Sequence, residues 1–140
     1  MSDSSTRDVI RKMYDLLSSG AEPEAIAHLF SDDAAFDIPG ATELVPWIGK
    51  RQGRKAIADF VRDLREYIEP ISFEVTSTVV EGEKAMTVGQ LESRVKSTGK
   101  IIETAFATEF TVKSGKITFY RFFEDSYAVA EAVRETRKQI

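Results

Sequence analysis

The sequence predicts one α+β domain in which helices pack on one face of an antiparallel sheet. Three observations predict it. Apolar residues recur at helical spacing in the first half of the chain, the spacing changes to alternation after Pro70, and short turns separate the alternating segments. Helices segregated to one face of such a sheet define the α+β layout. The 140 residues are the size of a single domain, and no repeat or boundary divides residues 1–140.

Three helices are predicted before the alternating segments. The first follows a capping pair formed by Ser5 and Asp8, and it ends at Gly20. The second is short, spans residues 24–30 and has a proline at its start. The third spans residues 53–68, where apolar residues lie three and four positions apart until a proline stops the helix.

The remaining elements are strands and one last helix. A short strand is predicted at residues 34–38, and a loop then runs to residue 53. A loop of this length in a compact domain usually carries function. The four long strands are predicted at residues 71–79, 85–96, 101–112 and 117–124. The last helix begins near Ser126.

Charge and composition exclude several kinds of partner and chemistry. The 19 Lys and Arg residues are outnumbered by 23 Asp and Glu residues, which argues against binding to nucleic acid. Cysteine is absent and His28 is the single histidine, so we expect no disulfide and no metal site. No apolar run approaches the roughly 18 residues that cross a membrane, and the first residues do not resemble a signal peptide. We therefore expect a cytoplasmic protein without a membrane partner.

Two segments carry a resemblance to a known family. Residues 29–40 (LFSDDAAFDIPG) and residues 49–57 (GKRQGRKAI) are similar to segments of ketosteroid isomerases and SnoaL-like polyketide cyclases, which belong to the nuclear transport factor 2-like superfamily. The resemblance implies a cone-shaped, strongly curved sheet wrapped around the helices (a cystatin-like α+β barrel) with an apolar pocket between them. It also implies a homodimer through the sheet, and it implies no metal or organic cofactor, because the family generally works with side chains and water. The superfamily includes enzymes, binding modules and scaffolds, so the fold alone does not define the function.

Three residues are candidates because they lie at or near positions that correspond to catalytic residues of the ketosteroid isomerases. Tyr14 lies about where they place a tyrosine that stabilises an oxyanion, and the alternative is a core tyrosine. Asp37 is offset by one residue from their catalytic base, so either it faces the pocket or the base is missing and Asp37 is a solvated carboxylate. Thr108 falls where they carry a protonated aspartate, and it supplies only a weak donor. Ketosteroid isomerase activity itself is therefore not expected.

Asp125 is the carboxylate that the sequence favours most. The segment at residues 120–125 (YRFFED) resembles the end of the last strand of limonene epoxide hydrolase, although that enzyme's Arg-x-Asp pair is missing here. Alternation places Arg121, Phe123 and Asp125 on one side of the strand, where a cation and a carboxylate would keep each other charged in the pocket. The alternative is that Asp125 caps the helix that follows it.

The expected pocket wall is aromatic. Phe60 and Phe106 are predicted to line it, and Trp47 either covers it as a lid or packs in the core. Three functions follow as hypotheses. The first is binding of a small apolar carbonyl compound, with proton abstraction by Asp125 or Asp37 and support from Tyr14. The second is a non-catalytic binding or scaffold module. The third is an epoxide hydrolase in which Asp125 activates water.

Overall fold

The computed structural model describes residues 3–135, and it confirms the predicted α+β fold. The helices are α1 (Asp3–Ser18), α2 (Pro23–Ala27), α3 (Arg54–Tyr67) and α4 (Ser126–Val133). The strands are β1 (Phe30–Ile38), β2 (Gly49–Gln52), β3 (Ile68–Glu81), β4 (Lys84–Val95), β5 (Ile101–Lys113) and β6 (Lys116–Glu124). None of the helices in this part of the chain is long and apolar enough to cross a membrane.

The six strands form one curved sheet that does not close into a full barrel. Their order is β2-β1-β6-β5-β4-β3. The predicted meander of β3 to β6 is antiparallel throughout, and β2 is antiparallel to β1. The pairing of β1 with β6 is parallel and joins the N-terminal part of the sheet to the meander.

Two local elements differ from the prediction. The second helix ends at Ala27, because Phe30 already belongs to β1 and lies opposite Ile117 of β6. The loop before the third helix contains β2, a four-residue edge strand that pairs with β1.

The apolar core lies between the helices and the concave face of the sheet. Helix α3 buries the apolar side that its spacing predicts, including Ile57, Phe60 and Val61, and α1 contributes Ile10 and Met13. Burying an aromatic or aliphatic side chain of this size contributes about 1.5–3 kcal/mol. The helices are therefore held mainly by packing on the sheet.

A bulge in β6 determines which of its side chains face the core. Val112 of β5 lies opposite Ile117, but the neighbouring Thr111 lies opposite Phe119, so Thr118 is an extra residue in β6. An extra residue turns every later side chain to the other face of a sheet. The residues that follow on the concave side are Tyr120, Phe122 and Glu124.

The convex face of the sheet exposes apolar side chains to solvent. On this face Val88, Ala107 and Phe123 lie side by side across β4, β5 and β6, and Met86 lies next to Val88 on β4. Met86, Val88 and Phe123 keep 40%, 41% and 41% of their surface exposed.

Candidate ligand-binding site

A cavity of about 550 Å³ lies between α1, α3 and the concave face of the sheet. Its wall is mostly apolar and includes Trp47, Phe60 and Phe122. This volume falls in the range of about 300–1,000 Å³ that is usual for pockets that hold small molecules. An apolar wall with a few polar groups is the usual composition of such a site.

Three of the predicted site residues line this cavity: Tyr14, Trp47 and Phe60. Trp47 is 4% exposed, and its ring stacks on that of Tyr67 with 6.0 Å between centroids. The tryptophan is therefore a buried part of the wall. The functional roles predicted for these three residues stay predictions.

Tyr14 projects from α1 into a polar niche at the cavity wall. Its hydroxyl lies 2.7 Å from the Thr87 hydroxyl, and either oxygen can be the donor. Burial raises the pKa of Tyr14, and the hydroxyls of Thr87 and Thr108 partly oppose this effect. The phenol therefore keeps its proton at neutral pH. If the Thr87 hydroxyl donates to the Tyr14 oxygen, the proton of the Tyr14 hydroxyl is available for a hydrogen bond to a ligand.

Thr108 stands beside Thr87 in the pairing of β4 with β5, and both side chains are fully buried. Thr108 does not line the cavity. Within residues 3–135 its hydroxyl makes no hydrogen bond of normal geometry. The contribution of Thr108 to the cavity wall is therefore indirect: its hydroxyl lowers the pKa of the Tyr14 phenol.

Glu124 is the acidic residue of β6 that faces the cavity. Burial, with a smaller contribution from the nearby charge of Asp125, raises the pKa of Glu124 to about 7. In the part of the chain that the structure describes, the carboxyl group has no hydrogen-bond or ion-pair partner. A carboxyl group with this pKa exchanges a proton readily at neutral pH, which is a property of general acids and bases.

Tyr120 lies four residues before Glu124 on the same side of β6, with Phe122 between them. Burial raises the pKa of its phenol well above the usual value, and the charges of Tyr14 and Glu124 add to the effect. The phenol of Tyr120 therefore lies close enough to both groups to be influenced by their charge.

A stack of three rings forms another part of the wall. Phe106 stacks on Phe73 at 4.5 Å and on Phe122 at 5.4 Å, so it supports two lining residues without lining the cavity itself. The stack needs a glycine at position 89. A Cβ atom on Gly89 would lie 1.9 Å from the Glu74 carbonyl oxygen and 2.7 Å from the Phe106 ring.

Four predicted site residues lie away from the cavity, and the prediction of their orientation is corrected here. Arg121, Phe123 and Asp125 do share one side of the chain, but the bulge at Thr118 turns that side away from the concave face. Asp37 is the neighbour of Arg121 across β1 and β6, and the two form an ion pair with 3.4 Å between Oδ2 and Nε. Asp37 therefore occupies the outer face.

Asp125 takes the alternative role that the sequence left open. Its side chain accepts a hydrogen bond of 3.1 Å from the backbone N–H of Ala128 and so caps helix α4. The cap fixes the point at which β6 ends, directly after Glu124.

Sequence reasoning missed Glu124 and Tyr120. The signal that identifies them is the alternation of Tyr120, Phe122 and Glu124, which is as regular as the alternation of Arg121, Phe123 and Asp125. If every second residue is counted from the buried Ile117, the count reaches Arg121, Phe123 and Asp125, because it does not allow for the extra residue of the bulge. Among residues 3–135, no cluster of three or more His, Asp or Glu side chains is suited to hold a metal ion.

The fold and the cavity define a small α+β domain of the SnoaL-like type. The profile of the SnoaL-like domain family matches residues 10–120, and the chain belongs to this family. No curated protein shows significant similarity to the sequence.

Solved structures share the whole fold. A nuclear transport factor 2-like protein from Burkholderia xenovorans is 26% identical, with a TM-score of 0.87 over 96% of this chain and 99% of the other. A protein with a ketosteroid isomerase-like fold from Catenulispora acidiphila, in complex with trimethylamine, is 16% identical, with a TM-score of 0.73 over 91% and 93% of the two chains. TerC, co-crystallised with polyporic acid, is also 16% identical, with a TM-score of 0.77 over 92% and 98%.

Proposed function

We propose that the protein binds a small, mostly apolar carbonyl compound in the cavity and that Glu124 moves a proton on this compound. The base is Glu124 in place of Asp37 or Asp125, because Glu124 is the acidic residue of β6 that faces the apolar wall. This is an isomerase-like or cyclase-like activity that uses side chains alone.

The observation that carries the proposal is the carboxyl group of Glu124, which faces an aromatic cavity and has no partner among residues 3–135. Glu124 has a pKa of about 7, so both its charged and its neutral forms are present near neutral pH. A catalytic group is most effective when its pKa lies close to the working pH. Leaving such a carboxyl group without a partner costs stability, and perturbed groups of this kind concentrate at functional sites.

The proposed reaction has two proton transfers. The Glu124 carboxylate removes a proton from the carbon next to the carbonyl, and the electron pair of the C–H bond moves onto the carbonyl oxygen as an enolate. Tyr14 donates a hydrogen bond to this oxygen, which stabilises the developing charge in a mostly apolar cavity. Glu124 then returns the proton to another carbon of the same conjugated system, and the net result is an isomerisation.

Proteins of the same fold support a small-molecule role. One is described in complex with trimethylamine and another was co-crystallised with polyporic acid. The binding of organic molecules within this fold agrees with a cavity of about 550 Å³ in this chain.

The test begins with ligands and ends with hydrogen exchange. A panel of steroids, aromatic polyketides, small lactones and terpene epoxides is screened for ligands that raise the melting temperature. Hits with a carbonyl group are then incubated with the protein in D₂O, and NMR measures deuterium entering the carbon next to the carbonyl. We expect exchange with the wild type, loss of exchange in Glu124→Gln and weaker exchange in Tyr14→Phe.

The matched control is Asp37→Asn, which alters a carboxylate on the outer face and should leave the exchange rate unchanged. Undiminished exchange in Glu124→Gln would refute the role of Glu124. Tight binding without exchange in the wild type would favour the non-catalytic binding module. The hypothesis that Asp125 activates water for epoxide hydrolysis gains no support from the geometry, because its carboxylate caps α4 outside the cavity lining.

A further inference from the structure

The ring of Tyr120 is fixed from three sides by other aromatic rings. It stacks on Phe36 with 4.6 Å between centroids and an interplanar angle of 5°. Phe110 packs against it edge-on at 5.4 Å and 82°, and Phe30 packs at 6.1 Å and 62°. With the backbone of β6 held between β1 and β5, the phenol has little freedom to move. Its hydroxyl is therefore held in one place before a ligand arrives.

That hydroxyl lacks a hydrogen-bond partner among residues 3–135. Tyr120 is 7% exposed and is one of the residues that line the cavity. Its oxygen is not one of the fully enclosed polar atoms of the structure, so it keeps some accessible surface. Buried tyrosine hydroxyls usually have a hydrogen-bond partner, and one without a partner needs an explanation.

We propose that Tyr120 is a ligand-binding residue whose hydroxyl donates a hydrogen bond to an oxygen atom of the ligand, on the same wall of the cavity as Glu124. This inference rests on the proposed function and extends it from a general apolar molecule to one with an acceptor oxygen at this wall. A carbonyl oxygen has two lone pairs, so it can accept from Tyr14 and Tyr120 together. The raised pKa of Tyr120 keeps its phenol protonated at neutral pH, which suits a donor.

The experiment uses two probes of the same shape that differ in one atom group. 2-Acetylnaphthalene carries a C=O group, and 2-isopropenylnaphthalene has C=CH₂ in the same position. Equilibrium dialysis measures the Kd of both probes for the wild type, for Tyr120→Phe and for Tyr67→Phe. Tyr67 is the matched control because its ring packs on Trp47 but does not line the cavity.

We expect the wild type and Tyr67→Phe to bind the ketone more tightly than the alkene. In Tyr120→Phe the preference for the ketone should fall by about tenfold, which corresponds to the loss of one net hydrogen bond. The Kd of the alkene should not change. The melting temperature of Tyr120→Phe without ligand should be equal to or above that of the wild type, because the lost hydroxyl has no hydrogen-bond partner among residues 3–135.

Two results would overturn the inference alone. One is an unchanged ketone preference in Tyr120→Phe, and the other is a clear drop in its melting temperature, which would show that the hydroxyl serves the fold. Failure of the wild type to bind either probe is a different result. It would overturn the proposed binding function together with the inference that rests on it.

Discussion

Replacing Glu124 by glutamine removes a carboxyl group that the cavity disfavours in its charged form, so we expect the stability advantage of the variant over the wild type to grow as the pH rises. Glutamine has nearly the same shape and stays neutral at every pH. The pKa of Glu124 is about 7 in the folded chain, against an ordinary value of 4.5. Between these two values the unfolded chain releases the proton and the folded chain keeps it. The stability of the wild type therefore falls over this pH window and levels off above it.

The size of the effect follows from the two pKa values. Their difference corresponds to at most on the order of 3 kcal/mol at pH 8, and incomplete burial of the side chain reduces it, so we expect a gain of about 1–3 kcal/mol. In a domain of this size each kcal/mol moves the melting temperature by roughly 2–4 °C. At pH 4 the carboxyl group is mostly protonated in both states, and the advantage of the variant should almost vanish.

Urea unfolding of both proteins at several values between pH 4 and pH 8 measures the difference directly. Glu74→Gln is the control, because Glu74 is an exposed glutamate on β3 and its replacement should leave the pH dependence of stability unchanged. If Glu124→Gln is no more stable than the wild type at pH 8, or if its advantage persists at pH 4, the carboxyl group does not occupy a desolvating cavity and the argument for its role as a base fails.

Three further substitutions test other parts of the structure. Gly89→Ala should lower the free energy of unfolding by at least about 1–3 kcal/mol in urea titration, because the added methyl group collides with the Glu74 backbone carbonyl and also with the Phe106 ring. A neutral result would mean that both the backbone of β3 and the ring stack lie farther from Gly89 than described. Asp125→Ala should lower the free energy of unfolding by about 1 kcal/mol, because it removes the cap on the Ala128 N–H. The Kd of a cavity ligand should stay the same. A higher Kd at unchanged stability would contradict the outward position of Asp125. The homodimer expected from the family resemblance should dissociate in Val88→Asp, which places a charge on the exposed apolar face; sedimentation showing only monomer in the wild type would rule the dimer out.

The sequence predicted the long elements because each buries a continuous apolar side. Helix α3 and strands β4 and β5 keep their periodicity over nearly their whole length, and their bounds agree closely with the prediction. Strand β2 could not be found in this way. Its four residues, Gly49–Gln52, show no apolar alternation, and it forms by backbone pairing with β1 at the edge of the sheet.

The end of the second helix was missed for a related reason. Leu29 and Phe30 continue the helical spacing of Ile26, so the local pattern favours a longer helix. In the structure, the Ile117 N–H donates to the Leu29 carbonyl at 2.9 Å and pairs this segment with β6. A contact between segments so far apart in the chain leaves no local signal.

The candidate site was predictable only in part. Tyr14, Trp47 and Phe60 could be identified from a family resemblance and from apolar spacing, and all three line the cavity. The acidic residue Glu124 could not be identified, because the face to which it points depends on a single extra residue, Thr118. A bulge has no reliable signature in one sequence, and an undetected bulge reverses the assignment of every side chain beyond it.

The ion pair between Asp37 and Arg121 has a consequence for the opposite side of the sheet. If the bulge in β6 straightened without loss of a residue, the strand would present Arg121 to the aromatic cavity and separate it from Asp37. Placing an unpaired guanidinium in an apolar interior costs several kcal/mol, so this alternative register is heavily penalised. The positive charge of Arg121 on the outer face therefore disfavours the register that would turn Glu124 away from the cavity.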